Sequence, residues 1–358
     1  MTIRQSRLTW PPSMITFHNP LQHTHAPEHE FFRGERIPCF ENPTRAAYVE
    51  AALTARGHVL HPPDVDCTEV LAKIHAPRYL AFLASAWQQW VSLGEGQDRV
   101  QPFPSVWPVR TLRSDIEPDN FIAKLGLYSM DNGSPLAAGT WTAAKAGADA
   151  AASAAARLAA GERAAFCSTR PPGHHAGPDF MGGYCFLNNA AVAAQWLRDH
   201  GAARVAVLDV DYHHGNGTQS IFYDRADVLF VSIHGDPRTE YPFYLGHADE
   251  TGAGLGTGGN LNLPLPAGTD AATWFAALEQ ACARIAAFGA DALVVSLGLD
   301  TYEGDPISRF RLATTDFLRL GARLRGVGLP TVLVLEGGYA AAELGTNAVN
   351  VLEGFEQA

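Results

Sequence analysis

Acidic and imidazole side chains follow the apolar run at residues 204–210, and their types suit a metal ion. Asp209, Asp211 and His213 stand at alternate positions, so in an extended segment all three would lie on one face. Carboxylate and imidazole ligands without thiolate suit Zn²⁺ or another first-row divalent ion. Asp300 ends a second apolar run and would complete a three-ligand site with room for water or substrate. Taken alone, each acid could equally be a helix cap or a turn residue.

Two further groups of residues indicate acid–base chemistry near this site. His174 and His175 follow a rigid Arg-Pro-Pro-Gly sequence, and neighbouring histidines can divide the work between a neutral base and a charged partner. The alternative is a pair of buried, hydrogen-bonded histidines. Tyr339 follows two glycines after another apolar run, where its phenol could donate to negative charge developing on an oxygen. Cys185 is a weak nucleophile candidate because no base is adjacent in the sequence.

The elements that must position these residues alternate between strand and helix patterns. Apolar, β-branched runs predict strands at 164–168, 204–210, 228–233, 292–299 and 331–335. Helical spacing predicts helices at 46–56, within 69–90, and at 140–160, 188–200, 271–288, 314–325 and 341–355. This alternation predicts a single α/β domain whose central, mostly parallel β-sheet is flanked by helices. Ligands in such folds sit beyond the carboxyl ends of the strands.

Composition narrows the class of protein. The chain has 358 residues, 47% hydrophobic and 18% charged, so a long disordered protein is excluded. The formal net charge of −11 argues against nucleic acid or an anionic membrane as the main partner and suits a cationic ligand. No run reaches the roughly 18 apolar residues of a membrane span.

The five cysteines are widely spaced and form no CxxC pair, which predicts free thiols in a reducing compartment. Residues 1–13 carry no apolar run of the signal-peptide kind and are expected to be an N-terminal extension to a domain at 14–358. We therefore expect a cytoplasmic protein.

Residues 91–135 are rich in Gly, Pro and charge and show no sustained periodicity. A plain loop of this length is uncommon in a compact domain, so the segment is functional, binds a partner or is partly structured. Phe103 and Trp107 would offer a contact surface. We predict a homodimer in which this loop packs against its twin and narrows access to the strand-end site. The alternative is a solvated surface loop.

The motifs, taken in order, resemble a known family. They are RPPGHHA, GGYCFLNNAA, LDVDYHHGNGTQ, SLGLD and LEGGY. This set is similar to that of the histone deacetylase superfamily, which has the arginase–deacetylase fold. FENPTRA at 40–46, the excursion at 91–135 and the glutamate of LEGGY most resemble the bacterial acetylpolyamine amidohydrolases. The resemblance covers essentially residues 14–356.

The resemblance implies a role for each matching residue. Asp211, His213 and Asp300 would be the ligands of one catalytic Zn²⁺, for which Fe²⁺ or Co²⁺ could substitute. His175 would be the general base and then the general acid, and Asn216 would face its ring.

Four more residues take supporting roles by the same resemblance. His174 would assist proton transfer electrostatically, and Asp209 would hydrogen-bond to it. Tyr339 would polarise the acetyl carbonyl. Arg45 matches an arginine near the path by which acetate leaves.

The resemblance also implies substrate contacts and structural potassium ions. The channel would be lined by Gly183, Tyr184 and Tyr241. Some members carry glutamates that meet the distant ammonium group of the substrate, at positions that are Ile122 and Gly133 here. Acids nearby that could substitute are Asp115, Glu117, Asp119 and Asp131, among which Glu117 is our candidate substrate contact; a solvated acidic loop is the alternative. Backbone carbonyls would bind an inner K⁺ at Asp209, Asp211, His213, Ser232 and Ile233, and an outer K⁺ at Phe222, Arg225 and Val228.

The resemblance therefore implies a metal-dependent amidohydrolase that releases acetate from small N-acetylated amines, of the acetylputrescine or acetylcadaverine type. Three rivals stay open. The first is a deacetylase of acetyl-lysine in proteins or peptides. The second is an arginase-like enzyme with two manganese ions, which would need an acid where the chain has Gly215. The third is a metal-dependent module that binds acetylated ligands without turnover.

Overall fold

An eight-stranded sheet forms the centre of the protein. The computed structural model describes residues 14–106 and 113–358. Every pair of neighbouring strands in the sheet is parallel, and their order is β4-β1-β5-β10-β9-β6-β7-β8. These strands are β1 (Ile15–His18), β4 (Leu60–His61), β5 (Ala164–Ser168), β6 (Val205–Asp209), β7 (Val228–Gly235), β8 (Asn260–Leu265), β9 (Ala292–Leu297) and β10 (Thr331–Leu335). A separate antiparallel hairpin consists of β2 (His29–Phe32) and β3 (Glu35–Pro38).

Helices cover both faces of the sheet. One apolar core contains residues of α2 (Thr68–Ile74), α3 (Pro77–Val91), α4 (Phe121–Leu127), α5 (Thr140–Ala159) and α6 (Asn189–Asp199). The other contains residues of α1 (Thr44–Ala55), α8 (Ala271–Phe288), α9 (Thr314–Arg325) and α10 (Ala341–Gln357). The short α7 (Asn216–Phe222) follows β6. Because both faces are covered, β6, β7, β9 and β10 are buried along their whole length, which explains their continuous apolar runs.

The strand order brings the predicted site residues together. Strands β10, β9 and β6 are direct neighbours, and their carboxyl ends lie at the same edge because the strands are parallel. Asp209 ends β6, Asp300 follows β9 and Tyr339 follows β10. Residues that are 130 positions apart in the chain therefore meet at one edge of the sheet.

The structure confirms the predicted fold class and most predicted elements. The sequence analysis missed strands β1 to β4, strand β8 and helix α7, because they are short or, in β8, carry Asn and Pro. The predicted helical region at 69–90 is two helices, because Pro77 starts α3 and holds Ala76 extended. The described residues of the 91–135 segment include α4, which agrees with the alternative that the segment is partly structured. Trp107 and residues 1–13 lie outside the described residues.

All five cysteines are buried and free of disulfides, in agreement with the prediction of free thiols. Among the described residues, no helix combines the length and apolarity needed to cross a membrane.

The buried carboxylate of Glu41 connects the N-terminal segment to the edge of the sheet where the predicted site residues lie. Both oxygens of Glu41 accept from the guanidinium of Arg170, at 2.8 and 2.6 Å. The Arg45 guanidinium donates to the same carboxylate at 2.9 Å. All three side chains are about 1% exposed. Burial raises the pKa of Glu41, but the two arginines outweigh that effect and hold it at about 2.

Replacing Glu41 with alanine is expected to lower the free energy of unfolding by about 3–5 kcal/mol, because it leaves two buried arginines without their shared counter-charge. The pKa of Glu41 is lowered in the folded state, so its contribution is present above the usual carboxylate pKa and is lost as pH falls toward 2. Urea denaturation at pH 7 measures the loss. The exposed Glu162→Ala is the matched control and should change stability by less than about 0.5 kcal/mol.

Candidate active site

Three residues at the ends of β6 and β9 form a compact, buried donor cluster. The ligand atoms of Asp211, His213 and Asp300 lie within 4.8 Å of one another. The His213 Nδ1 atom is 2.9 Å from Asp300 Oδ2 and 3.4 Å from Asp211 Oδ1. The remaining carboxylate oxygens accept backbone N–H groups, from Tyr212 at 2.8 Å and Gly337 at 2.9 Å. The backbone thus aims both carboxylates at one point.

The chemistry of this donor set fits a divalent cation. Burial, and then the nearby charge of Asp211, raise the pKa of Asp300 to about 8. Two carboxylates held this close in a buried place need a positive charge between them. Two carboxylates and one imidazole supply three protein ligands, the number that catalytic zinc sites use. A Cβ on Gly337 would lie 2.5 Å from Asp211 Oδ2 and 3.0 Å from Asp300 Oδ2, so only glycine lets the backbone approach this cradle.

The tandem histidines have opposite charge preferences. His174 Nδ1 is 3.0 Å from Asp209 Oδ2. Burial lowers the pKa of His174, but the carboxylates of Asp211 and Asp209 outweigh this and raise it to about 10. For His175, burial and the charges of His174 and His213 all lower the pKa well below its usual value. These opposite shifts favour a charged His174 and a neutral His175.

A hydrogen bond to an amide sets the tautomer of His175. Its Nδ1 atom is 2.7 Å from Oδ1 of Asn216, while the Asn216 amide nitrogen donates to the sulfur of Met130. With an oxygen as its partner, Nδ1 carries the proton, so Nε2 is free to accept one. The Gly183 Cα lies against this ring, since a Cβ there would be 2.2 Å from it. Asn216 thus lies where the sequence predicted.

Backbone hydrogen bonds hold the loop that carries the histidines. The carboxylate of Glu336 accepts the N–H groups of Gly173 at 2.6 Å and His174 at 3.1 Å. Glu336 is fully buried, and burial raises its pKa to about 7. This residue belongs to LEGGY, so the strand end that carries Tyr339 also fixes the histidine loop.

Tyr339 lies between the histidine loop and the N-terminal segment. The Arg45 guanidinium lies 4.7 Å from the centre of its ring, and Arg45 also donates to the carbonyls of Glu336 at 2.6 Å and Gly338 at 2.7 Å. Burial raises the pKa of the Tyr339 phenol well above its usual value, and Arg45 opposes this only in part. The phenol therefore keeps its proton and can donate a hydrogen bond.

A cavity of 790 Å³ opens onto these residues. Its inner lining includes His175, His213 and Tyr339. The residues predicted to form the channel, Gly183, Tyr184 and Tyr241, also line it. Among the described residues, those other than glycine with positive φ are Arg33, Tyr184 and Phe243, and all three line this cavity. Backbone strain of this kind concentrates at functional sites.

Three acids, Glu30, Asp131 and Glu240, are part of the cavity wall, and two of them hold the tyrosines of the channel. The Tyr184 hydroxyl donates to Glu30 Oε1 at 2.9 Å, and the Tyr241 hydroxyl donates to Asp131 Oδ2 at 2.6 Å. The same Asp131 oxygen accepts the N–H of Gly183 at 2.6 Å. Burial is the main cause that raises the pKa of Glu30 to about 7. Sequence reasoning missed Glu30, which comes from the β2–β3 hairpin, whereas Asp131 was among the acids named.

Glu117, the predicted substrate contact, is not among the residues that line the cavity in the described part of the chain. Its carboxylate pairs with Lys124 at 2.8 Å and accepts from the hydroxyl of Tyr128. Asp115 is likewise paired, with Arg113 at 2.5 Å. Local partners neutralise both acids, so closeness in sequence to the predicted positions does not bring them to the site.

The residues of the predicted inner potassium site lie at the carboxyl ends of β6 and β7, and those of the outer site lie between the end of α7 and the start of β7. Ser232 pairs with Asp209 in the register of β6 and β7, and Ile233 follows in β7. Phe222 ends α7, and its carbonyl accepts the N–H of Arg225 at 3.0 Å, while Val228 starts β7. Potassium at either place stays a prediction.

The fold and the site together define the class of protein. A profile of the histone deacetylase domain matches residues 39–355, and the chain belongs to this family of deacetylases. Within this family, the chain is similar to proteins named acetylpolyamine amidohydrolase. The chain is 53% identical to acetylpolyamine amidohydrolase 2 of Pseudomonas aeruginosa, over 96% of this chain and 99% of that one. It is 46% identical to the acetylpolyamine amidohydrolase of Mycoplana ramosa, over 91% and 94% of the two chains.

A solved structure is similar to this chain in fold as well as in sequence. The crystal structure of an acetylpolyamine aminohydrolase from Burkholderia pseudomallei matches with a TM-score of 0.91 and 42% identity, covering 96% of this chain and 98% of that one. The predicted family resemblance is therefore confirmed.

Proposed function

We propose that this protein is a zinc-dependent amidohydrolase that removes the acetyl group from N-acetylated diamines and polyamines, such as acetylputrescine and acetylcadaverine. The products are acetate and the free amine. One observation carries the proposal: the tandem histidines His174 and His175 lie beside the donor cluster, and His175 lines a cavity whose wall contains Glu30 and Asp131. The names of the relatives in Pseudomonas aeruginosa and Mycoplana ramosa support the same substrate class.

Each step of the proposed hydrolysis has a residue of the site that would perform it. Zn²⁺ held by Asp211, His213 and Asp300 would lower the pKa of a water molecule and polarise the acetyl carbonyl. His175 accepts the proton of the attacking water through Nε2 and then delivers it to the nitrogen of the leaving amine. The Tyr339 hydroxyl donates to the carbonyl oxygen as negative charge develops there.

The Asp209 carboxylate accepts a hydrogen bond from His174 and stabilises the charged form of its ring. The charged ring adds positive charge behind the reacting groups, where negative charge develops in the transition state. Asn216 is neutral, so it orients the His175 ring without making it strongly basic. Fe²⁺ or Co²⁺ would suit the same donors.

One metal per chain is part of the proposal. A second ion of the arginase type would need a carboxylate at position 215, two residues after His213. A Cβ on Gly215 would lie 2.1 Å from Asp209 Oδ2, so this position has no room for any side chain. The arginase-like rival is therefore disfavoured by packing as well as by residue type.

The acids in the cavity wall favour a cationic substrate. Glu30 and Asp131 accept hydrogen bonds from the tyrosines that line the channel. With Glu240 they are three acids in a lining that also contains Arg33 and Arg309. A carboxylate that accepts a hydrogen bond from an ammonium group contributes more than a neutral acceptor does.

Glu30 leads to a prediction about pH. Its pKa of about 7 means that it becomes a carboxylate as pH rises through neutrality, while the ammonium of acetylcadaverine stays charged. The KM for acetylcadaverine is therefore expected to fall by about tenfold between pH 6 and pH 8. Glu30→Gln should remove this dependence. N-butylacetamide, which lacks the ammonium, is the control substrate; an equal pH effect on its KM would contradict the role of Glu30.

The main alternative is deacetylation of acetyl-lysine in proteins or peptides. A panel of acetylputrescine, acetylcadaverine, acetylspermidine and acetyl-lysine peptides, assayed with metal-loaded protein, separates the two. Our proposal predicts the highest kcat/KM for an acetylated diamine. A higher kcat/KM for the peptides would favour the alternative. Binding of these acetylated compounds without release of acetate would favour a module that senses them without turnover.

The assembly and the cellular location are also proposals. Phe103 of the 91–135 segment packs edge-on against Phe31, with ring centres 4.7 Å apart, and Phe31 lines the cavity. This contact links the segment to the site. We propose that the 91–135 segment also packs against the same segment of a second chain in a homodimer. Sedimentation velocity of the intact chain measures the assembly. We also propose that the protein is cytoplasmic and that it binds structural K⁺.

A further inference from the structure

Asp305 is a buried acid next to the tyrosine loop, and no step of the proposed hydrolysis uses it. Its Oδ2 atom accepts the N–H of Tyr339 at 2.7 Å, and its Oδ1 atom accepts the N–H of Ile307 at 3.0 Å. The residue is 7% exposed. Each oxygen of this carboxylate therefore holds one backbone group, and both groups belong to residues that line the cavity.

The tyrosine loop needs such a restraint. It connects β10 to α10, and Gly337 and Gly338 precede the tyrosine; Gly338 has φ of 128°, where a side chain is strained. The loop is held from one side by Arg45, which donates to two of its carbonyls. Asp305 accepts the N–H of Tyr339 itself, from the other side. The position of the phenol thus depends on a contact between two loops.

We propose that Asp305 is a positioning residue: it fixes the backbone of Tyr339 so that the phenol meets the carbonyl oxygen, and it sets the adjacent cavity wall through Ile307. This inference rests on the proposed function, because it assumes that Tyr339 donates to the developing negative charge. A misplacement of about 1 Å of a group that acts on the transition state can cost about 10²-fold in rate.

The amide variant is a specific test. In Asp305→Asn, one of the two acceptor oxygens becomes an NH₂ group that cannot accept, so either Tyr339 or Ile307 loses its partner. We expect kcat for acetylcadaverine to fall by about 10- to 100-fold, with KM changed by less than about threefold and with metal content unchanged. Asp291→Asn removes the same charge at an exposed site at the opposite edge of the sheet and should leave kcat unchanged.

A double-mutant cycle separates positioning from a general structural effect. If Asp305 acts through the phenol, adding Asp305→Asn to Tyr339→Phe should cost less than about twofold more in kcat. A full additional loss in the double variant, or wild-type kcat in both Asp305→Asn and Asp305→Glu, would overturn the inference. If Tyr339→Phe itself turns over at the wild-type rate, the proposed function fails instead.

A second variant covers the case in which Asp305→Asn does not fold, as judged by circular dichroism and thermal unfolding. Asp305→Glu keeps both acceptor oxygens but moves them by one methylene group. It is expected to lower kcat in the wild-type background and to have no further effect in the Tyr339→Phe background. Equal losses in both backgrounds would contradict a role through Tyr339.

Discussion

Replacing His175 with alanine is expected to lower kcat for acetylcadaverine by about 10²-fold or more, while the bound metal stays at the wild-type level. His175 is the neutral histidine, its Nε2 atom is free to accept a proton, and its ring lines the cavity. The carboxylates beside His174 raise its pKa, which makes it a poorer acceptor for the proton of water than His175. Acetate release at saturating substrate measures kcat, and elemental analysis measures the metal.

The exposed His61→Ala is the matched control for this prediction, since it removes an imidazole from the edge strand β4. It should keep wild-type kcat. A His175→Ala variant with more than about one-tenth of wild-type kcat would mean that another group takes the proton from water. Loss of metal in that variant would instead mean that His175 contributes to the metal site.

Asp300→Ala is expected to weaken metal binding by at least about 10²-fold and to abolish turnover. Asp300 supplies one of two carboxylates in a cluster of three ligands, and its other oxygen fixes the N–H of Tyr212. Asp211→Ala should behave in the same way. Metal content after dialysis against a weak chelator is the measurement.

The exposed Asp249→Ala is the control for both aspartate variants and should retain its metal. Full zinc occupancy in either Asp300→Ala or Asp211→Ala would overturn the ligand assignment. Occupancy lost in one variant only would leave a two-ligand site, which is not the site proposed.

The strands that carry the site could be predicted because they are buried on both faces. The run that includes β6 is followed by acids and histidines at alternate positions, so the strand, its end and its face could all be read from the sequence. Strands β1, β4 and β8 gave no such signal. In β8 the sequence NLNLPL alternates with Asn and includes Pro264, a composition suited to an edge strand.

The wall of the cavity was harder to predict than its inner end. Glu30 lies 154 positions from Tyr184, to which it is hydrogen-bonded, and no motif links the two. Glu117 lies near the positions that the resemblance pointed to, yet the local pairing with Lys124 keeps it out of the cavity lining. Asp305 shows the same limit, because only the fold reveals that it accepts the N–H of Tyr339.

The most direct test of the central claim is the stoichiometry of products from acetylcadaverine with the zinc-loaded, full-length protein. Acetate and cadaverine should appear in equal amounts over many turnovers, and Asp300→Ala, assayed under the same conditions, should release neither. The absence of acetate from the zinc-loaded protein, or an equal rate of release from Asp300→Ala, would contradict the account.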